Sequence, residues 1–324
     1  MRGKLKIPDL DVSLARIEEA AAAIDPVFTN TPQFVDDQLS VALSRQVVVK
    51  VETANPLRSF KGRGADFAVG RLGAAKHIVC VSTGNFGQAV AYAGRKRGIT
   101  VDVFVPANIN PLKLARMQAF GARVTPVGAD STASEDAARQ YVATTSGCVF
   151  IDDGKDPNVA EGAGTVGVEL LNAGPIDTVV IPVGGGALIA GTARWIKQHS
   201  PKTHIVGVCA SGAPCMALSW RAGKAISTPS TDTIAEGIDV RVPAADESVE
   251  RLCALVDDMV LVDDSDMLEG MRLAARTLGL LLEPAGAAGL AAIKVRDLPG
   301  ERIATVLTGS NLRPEHLRSL AINQ

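Results

Sequence analysis

Short apolar runs bounded by glycine, proline and polar residues recur through this chain, with longer stretches of helical spacing between them. The runs at 77–81, 101–105, 123–127, 149–151, 178–183, 205–209, 259–262 and 302–307 read as buried strands. Strands that alternate with helices form parallel sheets covered by helices, so the expected class is α/β. A chain of 324 residues is long enough for two lobes and a sizeable core, and 47% hydrophobic residues with a mean hydropathy of +0.18 argues against disorder.

In open α/β sheets ligands gather at the carboxyl ends of strands, and three motifs sit at such ends. The run 178–183 leads into Gly184, Gly185, Gly186, Ala187 and Leu188, which open a helical stretch. Consecutive glycines there let backbone N–H groups converge on an anion, with the partial positive charge of the helix N-terminus behind them. The segment reads as a phosphate cradle or as a tight strand-to-helix turn. Gly186 and Gly191 have Walker spacing but are followed by Thr192 with no lysine, and no G-x-G-x-x-G fits, so a nucleotide is disfavoured. The run 77–81 leads into Ser82, Thr83, Gly84, Asn85 and Phe86, whose hydroxyls, amide and backbone suit a carboxylate or ring oxygen, or a helix N-cap. The run 302–307 ends in Thr308, Gly309, Ser310 and Asn311.

Lys61 stands where an irregular stretch from Asn55 gives way to a helical run, which puts its amine at a helix N-terminus. The helix dipole disfavours a cation there, and Arg63 is expected to add repulsion. Both effects, with partial burial beside Phe60, favour the neutral amine that Schiff-base chemistry needs. On this segment alone Lys61 reads more readily as a solvated lysine; the motifs elsewhere give it partners.

Several function classes lose support. A formal charge of -2 leaves no electrostatic footprint for nucleic acid, and two Trp and two Tyr offer little for base stacking. The longest apolar stretch, 178–193, is broken by Pro182 and glycines, and no signal-peptide pattern opens the chain; no membrane contact and a cytoplasmic location are expected. The five cysteines lack C-x-x-C spacing and read as buried apolar residues. The four histidines include no H-E-x-x-H, and no G-x-S-x-G accompanies a serine.

The ordered series Ser59-Phe60-Lys61-Gly62-Arg63-Gly64, Ser82 to Gln88, Glu161-Gly162-Ala163-Gly164-Thr165, Gly184 to Leu188, Ile234-Ala235-Glu236-Gly237, Glu283-Pro284-Ala285-Gly286 and Thr308-Gly309-Ser310-Asn311 resembles the fold-type II pyridoxal 5'-phosphate enzymes, in the threonine/serine dehydratase and serine racemase branch. The resemblance implies a two-lobed α/β fold, with a small lobe at 75–147 inserted into a large one formed by 1–74 and 148–324 and the cofactor between them. It implies that Lys61 forms the Schiff base and then removes the Cα proton. Asn85 would contact the ring 3'-oxygen, the 184–188 amides the phosphate, and the Thr308 hydroxyl the pyridine nitrogen, while Ser82, Thr83, Gly84, Asn85 and Phe86 would bind substrate. The implied reaction is β-elimination from a β-hydroxy amino acid such as threonine or serine, with racemisation or elimination from a bulkier substrate as the alternative within the family. A non-catalytic small-molecule binder is the alternative from another class. A homodimer and the short catabolic type of dehydratase are also expected.

The chain departs from the family's common pattern at several positions. Arg58 stands where a glycine is common and Phe86 where a histidine is common. Thr83 takes a position held by serine in racemase-like members and by alanine in many dehydratases; its hydroxyl, opposite Lys61, would reprotonate Cα during racemisation. Cys209 and Cys215 fall where the racemase branch has acidic cation ligands, so no divalent-metal site is expected there.

Overall fold

In the computed structural model, which describes residues 10–129, 131–229 and 232–321, the apolar runs assemble into two sheets. The strands are β1 (Gln33–Val35), β2 (Gln46–Val51), β3 (His77–Val81), β4 (Thr100–Val105), β5 (Arg123–Pro126), β6 (Cys148–Phe150), β7 (Thr178–Pro182), β8 (His204–Ala210), β9 (Asp258–Val262) and β10 (Arg302–Leu307). One sheet has the order β1-β2-β10-β7-β8-β9 and the other β5-β4-β3-β6. All neighbours are parallel except the edge pair β1 and β2. The α/β class with parallel-type sheets covered by helices is therefore the fold.

Strands β1 and β2 have no counterpart among the sequence-based expectations. In β2 the valines at 47, 48 and 49 are buried, but Lys50 interrupts the apolar signal and is itself only 1% exposed. It tolerates burial because its ammonium donates to the Thr31 carbonyl (2.8 Å) and to Glu169 (2.5 Å). Strand β6 pairs with β3 in the smaller sheet, with Cys148 opposite His77, so that sheet reaches past residue 147.

The helix Lys61–Gly70 is held by its neighbours at backbone distance. A Cβ on Gly64 would lie 2.5 Å from the Val159 carbonyl oxygen, and one on Gly162 would lie 2.6 Å from that of Arg63. Only glycine at these positions lets the helices Lys61–Gly70 and Pro157–Leu170 approach so closely.

Between those helices and β2 lies a charged cluster closed to water. Arg63, fully buried, donates from Nε and Nη2 to both oxygens of Glu52 (2.8 Å each) and from Nη1 and Nη2 to both oxygens of Glu169 (2.7 and 2.9 Å). Thr165 accepts a further bond from Nη1. Arg63 is thereby neutralised inside the large sheet's helical layer, which corrects the expectation that it repels Lys61. Burial alone would push the Glu169 carboxyl up, but the hydrogen bonds and charges of Arg63 and Lys50 outweigh it and hold the group down at about 2.

Removing one member of such a cluster leaves buried charge uncompensated, at a cost of about 3–5 kcal/mol. Arg63→Met should lower the free energy of unfolding by about that amount in a denaturant titration. Glu169 has an ordinary value of 4.5 and a folded value of about 2, so its contribution is full above 4.5 and fades as pH falls toward 2. The variant should lose less stability than the wild type across that acid range.

Candidate functional site

The segment before Lys61 lies along the end of β10. Ser59 bridges Gly309 in antiparallel fashion, the Phe60 amide donates to the Thr308 carbonyl (3.1 Å), and the Ser310 amide donates to the Arg58 carbonyl (2.9 Å). Arg58 adopts φ 54°, in the left-handed region, which explains why a glycine is favoured at this position and strains the arginine here by about 1–2 kcal/mol. Asn55 braces the turn, accepting from the Leu57 amide and donating to the Ser59 carbonyl.

Lys61 begins its helix, and its ammonium is paired with Asp153, its side chain 16% exposed. It also stands 4.8 Å from the centre of the Phe60 ring and 5.8 Å from that of Phe86. Asp153 was not singled out in the sequence; it follows the end of β6, the same kind of position that marked the other motifs. Its second oxygen, Oδ1, is buried without a hydrogen-bond partner among the described residues.

The neighbouring Gly154 packs on the glycine loop. A Cβ on Gly185 would come within 3.2 Å of the Gly154 Cα, and one on Gly184 within 2.9 Å of the Gly237 carbonyl oxygen. Gly186 has φ 95° and caps the helix Ala187–His199. The amides of Gly184, Gly185, Gly186, Ala187 and Leu188 find no acceptor among the described residues. They form a concave donor array at a helix N-terminus, suited to an anion.

Asn85 is the first residue of the helix Asn85–Lys96. Its Nδ2 donates to Glu283 Oε1 (2.6 Å), and its Oδ1 accepts from Asn311 Nδ2 (2.8 Å). A Cβ built on Gly309 would meet both Glu283 Oε1 (2.1 Å) and Asn85 Nδ2 (3.2 Å), so the ends of β3 and β10 converge here. Thr308 is 6% exposed, and among the described residues its hydroxyl has only a long bond to the Ala285 carbonyl (3.4 Å). The structure thus brings Lys61, Asn85 and Thr308 close together where the two sheets meet, the place the expected cleft would occupy, with the glycine loop joined through Asp153 and Gly154.

The remaining residues of the 82–86 segment differ in surroundings. Ser82 is buried, its hydroxyl oxygen accepting from the Gly84 and Gly87 amides at 3.0 and 2.8 Å, which makes it a brace for the helix start. Thr83 is exposed and makes no hydrogen bond among the described residues. Phe86 is 3% exposed and packs in the core with Ala89, Val90, Val103 and Met117.

A second set of side chains links the two sheets at the cleft's rim. Lys113, on the helix Pro111–Ala119, donates to Glu236 Oε2 (2.7 Å) and stands 4.0 Å from Glu283; Arg313 pairs with the same Glu236. Burial pushes the Lys113 ammonium below its usual range, Glu283 opposing. Lys113 and Asp153 are functional candidates that the sequence did not single out, and Glu283 and Asn311 stood in the quoted series without a role of their own, because their partners lie far along the chain.

Residues 24–309 match the sequence pattern of the family described as pyridoxal-phosphate dependent enzyme. The chain belongs to that family. It is 34% identical over 281 residues to a serine racemase of Oryza sativa subsp. indica, spanning 85% of this chain and 82% of the relative. It is 31% identical over 306 residues to an L-threonine ammonia-lyase of Thermotoga maritima, spanning 93% and 76%. Among solved structures, maize serine racemase superposes with a TM-score of 0.88 at 31% identity, covering 95% of this chain and 96% of that one. A threonine deaminase from T.th. gives 0.87 at 32% identity, covering 93% and 99%. The chain is thus a pyridoxal-phosphate-dependent enzyme, and its residues fit the group: an amine at a helix start, a free donor array for a phosphate, and a buried hydroxyl and a half-buried amide beside them.

Phe86 occupies a packed site next to Lys61, so truncation removes a ring that the cleft wall rests on. Phe86→Ala should cost about 3–5 kcal/mol of stability by calorimetric or denaturant unfolding. A cost below about 1 kcal/mol would show that the ring packs loosely and faces the cleft.

Proposed function

We propose that this protein is an ammonia-lyase that converts a β-hydroxy amino acid such as L-threonine or L-serine to a 2-oxo acid and ammonia. The observation that carries it is the convergence of Lys61, Asn85 and Thr308 at the carboxyl ends of strands from both sheets, beside a glycine loop with free amides. The relatives called L-threonine ammonia-lyase and threonine deaminase support the reading. In the same reading the protein is a cytoplasmic homodimer, with a small lobe at 75–147 to which β6 also belongs.

When bound, pyridoxal phosphate supplies an electron sink for the bond to the substrate Cα. Gly184, Gly185, Gly186, Ala187 and Leu188 hold its phosphate through backbone N–H groups. Asn85 orients the ring through its amide, which Glu283 and Asn311 keep fixed. Thr308 would present its hydroxyl to the ring nitrogen; a hydroxyl would not keep that nitrogen protonated as a carboxylate would, and the weaker sink this supplies suits elimination. Lys61 Nζ would hold the cofactor covalently, and its free amine would serve as the base for the Cα proton. Phe60 and Phe86 shield that amine from water. Loss of the β-hydroxyl as water is balanced by the water consumed in releasing ammonia, so the net change is deamination.

Racemisation is the second reading. The rice and maize serine racemases favour it, and the exposed Thr83 hydroxyl supplies a donor for the far face of Cα.

The test is product analysis of the cofactor-loaded protein with L-serine, L-threonine and bulkier β-hydroxy amino acids. Pyruvate or 2-oxobutyrate should form with one ammonia per 2-oxo acid, and Lys61→Ala should lower kcat by at least about 10²–10⁴-fold. Formation of the D-amino acid without 2-oxo acid would assign racemisation; neither product from any substrate would reject both readings.

A further inference from the structure

At the opposite end of the smaller sheet, away from the cleft, three side chains from three strands meet. His77 opens β3 and Cys148 opens β6, and the parallel register sets them side by side. Asp102 stands on β4, the other neighbour of β3. Cys148 Sγ lies 3.0 Å from His77 Nδ1, and His77 Nε2 lies 2.6 Å from Asp102 Oδ2. The five residues of β3 separate this group from Ser82 and the cleft by about 16 Å of extended chain.

The hydrogen-bond network decides the imidazole's proton. Nε2 stands between the Asp102 carboxylate at 2.6 Å and Arg123 Nη2, which can only donate, at 3.1 Å; the shorter contact, to the anion, assigns the hydrogen to Nε2, donated to Asp102. Nδ1 is then the basic nitrogen, and it faces the Cys148 thiol. Arg123 grips both oxygens of Asp102 at 2.5 and 2.7 Å, and its Nη2 approaches His77 Nε2 at 3.1 Å; the Tyr141 ring stands edge-on to the imidazole at 6.0 Å. Nucleophile, base and orienting carboxylate are thus in the order that activates a nucleophile.

We propose that Cys148, His77 and Asp102 form a second nucleophilic site, in which Cys148 reacts with small hydroperoxides. The sulfur's electron pair forms an S–O bond as the peroxide O–O bond breaks. The thiol proton passes to His77 Nδ1 and on to the departing hydroxide or alkoxide, giving water or an alcohol and a cysteine sulfenic acid. Sulfur loses two electrons and the peroxide gains them. Burial pushes the Cys148 thiol above its ordinary value, and Asp102 adds to this while Arg123 opposes it, so the resting group is a thiol that needs a base. Burial raises the Cys253 thiol too, so thiolate fraction does not favour Cys148 over it. The base beside Cys148 is what separates them.

This corrects the expectation that all the cysteines are buried apolar residues. Cys80, Cys209 and Cys215 are buried, Cys148 is partly exposed, and Cys253 is exposed and serves as an internal reference. The full-length enzyme is treated with hydrogen peroxide, sulfenic acid is trapped with dimedone, and each cysteine is followed by peptide mass mapping. Cys148 should be trapped faster than Cys253 by on the order of tenfold, a fraction of what general base catalysis supplies because Cys148 is less accessible. His77→Gln should bring Cys148 to the Cys253 rate or below and leave Cys253 unchanged. Cys253 reacting as fast as or faster than Cys148 in the wild type would overturn the proposal, and so would an unchanged Cys148 rate in the variant. Should the variant unfold, seen as labelling of buried Cys80, the wild-type ranking decides alone.

Discussion

The guanidinium of Arg63, two residues along the helix that Lys61 begins, grips both carboxylates of a buried cluster and through them joins the end of β2, the helix Lys61–Gly70 and the helix Pro157–Leu170. Burying such charges is expensive, and an apolar replacement of the whole set would fill the space at less cost. What the cluster supplies is direction: a planar fork with bonds from Nε and both terminal nitrogens fixes the rotation of its helix as well as its depth. Glycines 64 and 162 fix the separation on the other side. With rotation and separation set, the helix start can point in only one direction, and Lys61 is delivered to the cleft.

That delivery creates an electrostatic problem of its own. An ammonium at a helix N-terminus faces the positive end of the dipole, and Arg63, turned away into its own pairings, neither adds to the repulsion nor relieves it. Asp153 relieves it, from a loop beyond the edge strand of the other sheet. The same loop presses Gly154 against Gly185, so the counter-ion of the lysine and the wall of the anion cradle are one piece of chain. On the far side Asn85, Glu283 and Asn311 form a continuous hydrogen-bonded chain from the smaller sheet to the larger. The cleft is therefore spanned by polar contacts on both flanks, and Lys113 with Glu236 and Arg313 adds a third at the rim.

The strands and the three turn motifs were legible because apolar runs bounded by glycine mark both a parallel strand and its carboxyl end. Strand β2 was not, since Lys50 broke the pattern that Glu169, 119 residues away, makes tolerable. Arg63 was misread for the same reason: a cation looks like a source of repulsion until its anions are placed. Asp153, Glu283 and Asn311 could be given no role from local pattern, because each acts through a partner that only the sheet order brings near. The resemblance put Phe86 among the substrate-binding residues, whereas the structure buries its ring in the core with Val90, Val103 and Met117. The meeting of Cys148 with His77 depends on a strand register that neither segment carries by itself.

The central claim is that this architecture exists to hold one amine, that of Lys61, where it bonds the cofactor. Borohydride reduction of the pyridoxal-phosphate-loaded protein followed by tryptic peptide mapping measures it directly. The reduced pyridoxyl group should be found on Lys61, and tryptic cleavage after that residue should be blocked in the labelled protein. Stoichiometric label on any other lysine, Lys113 included, would contradict the account.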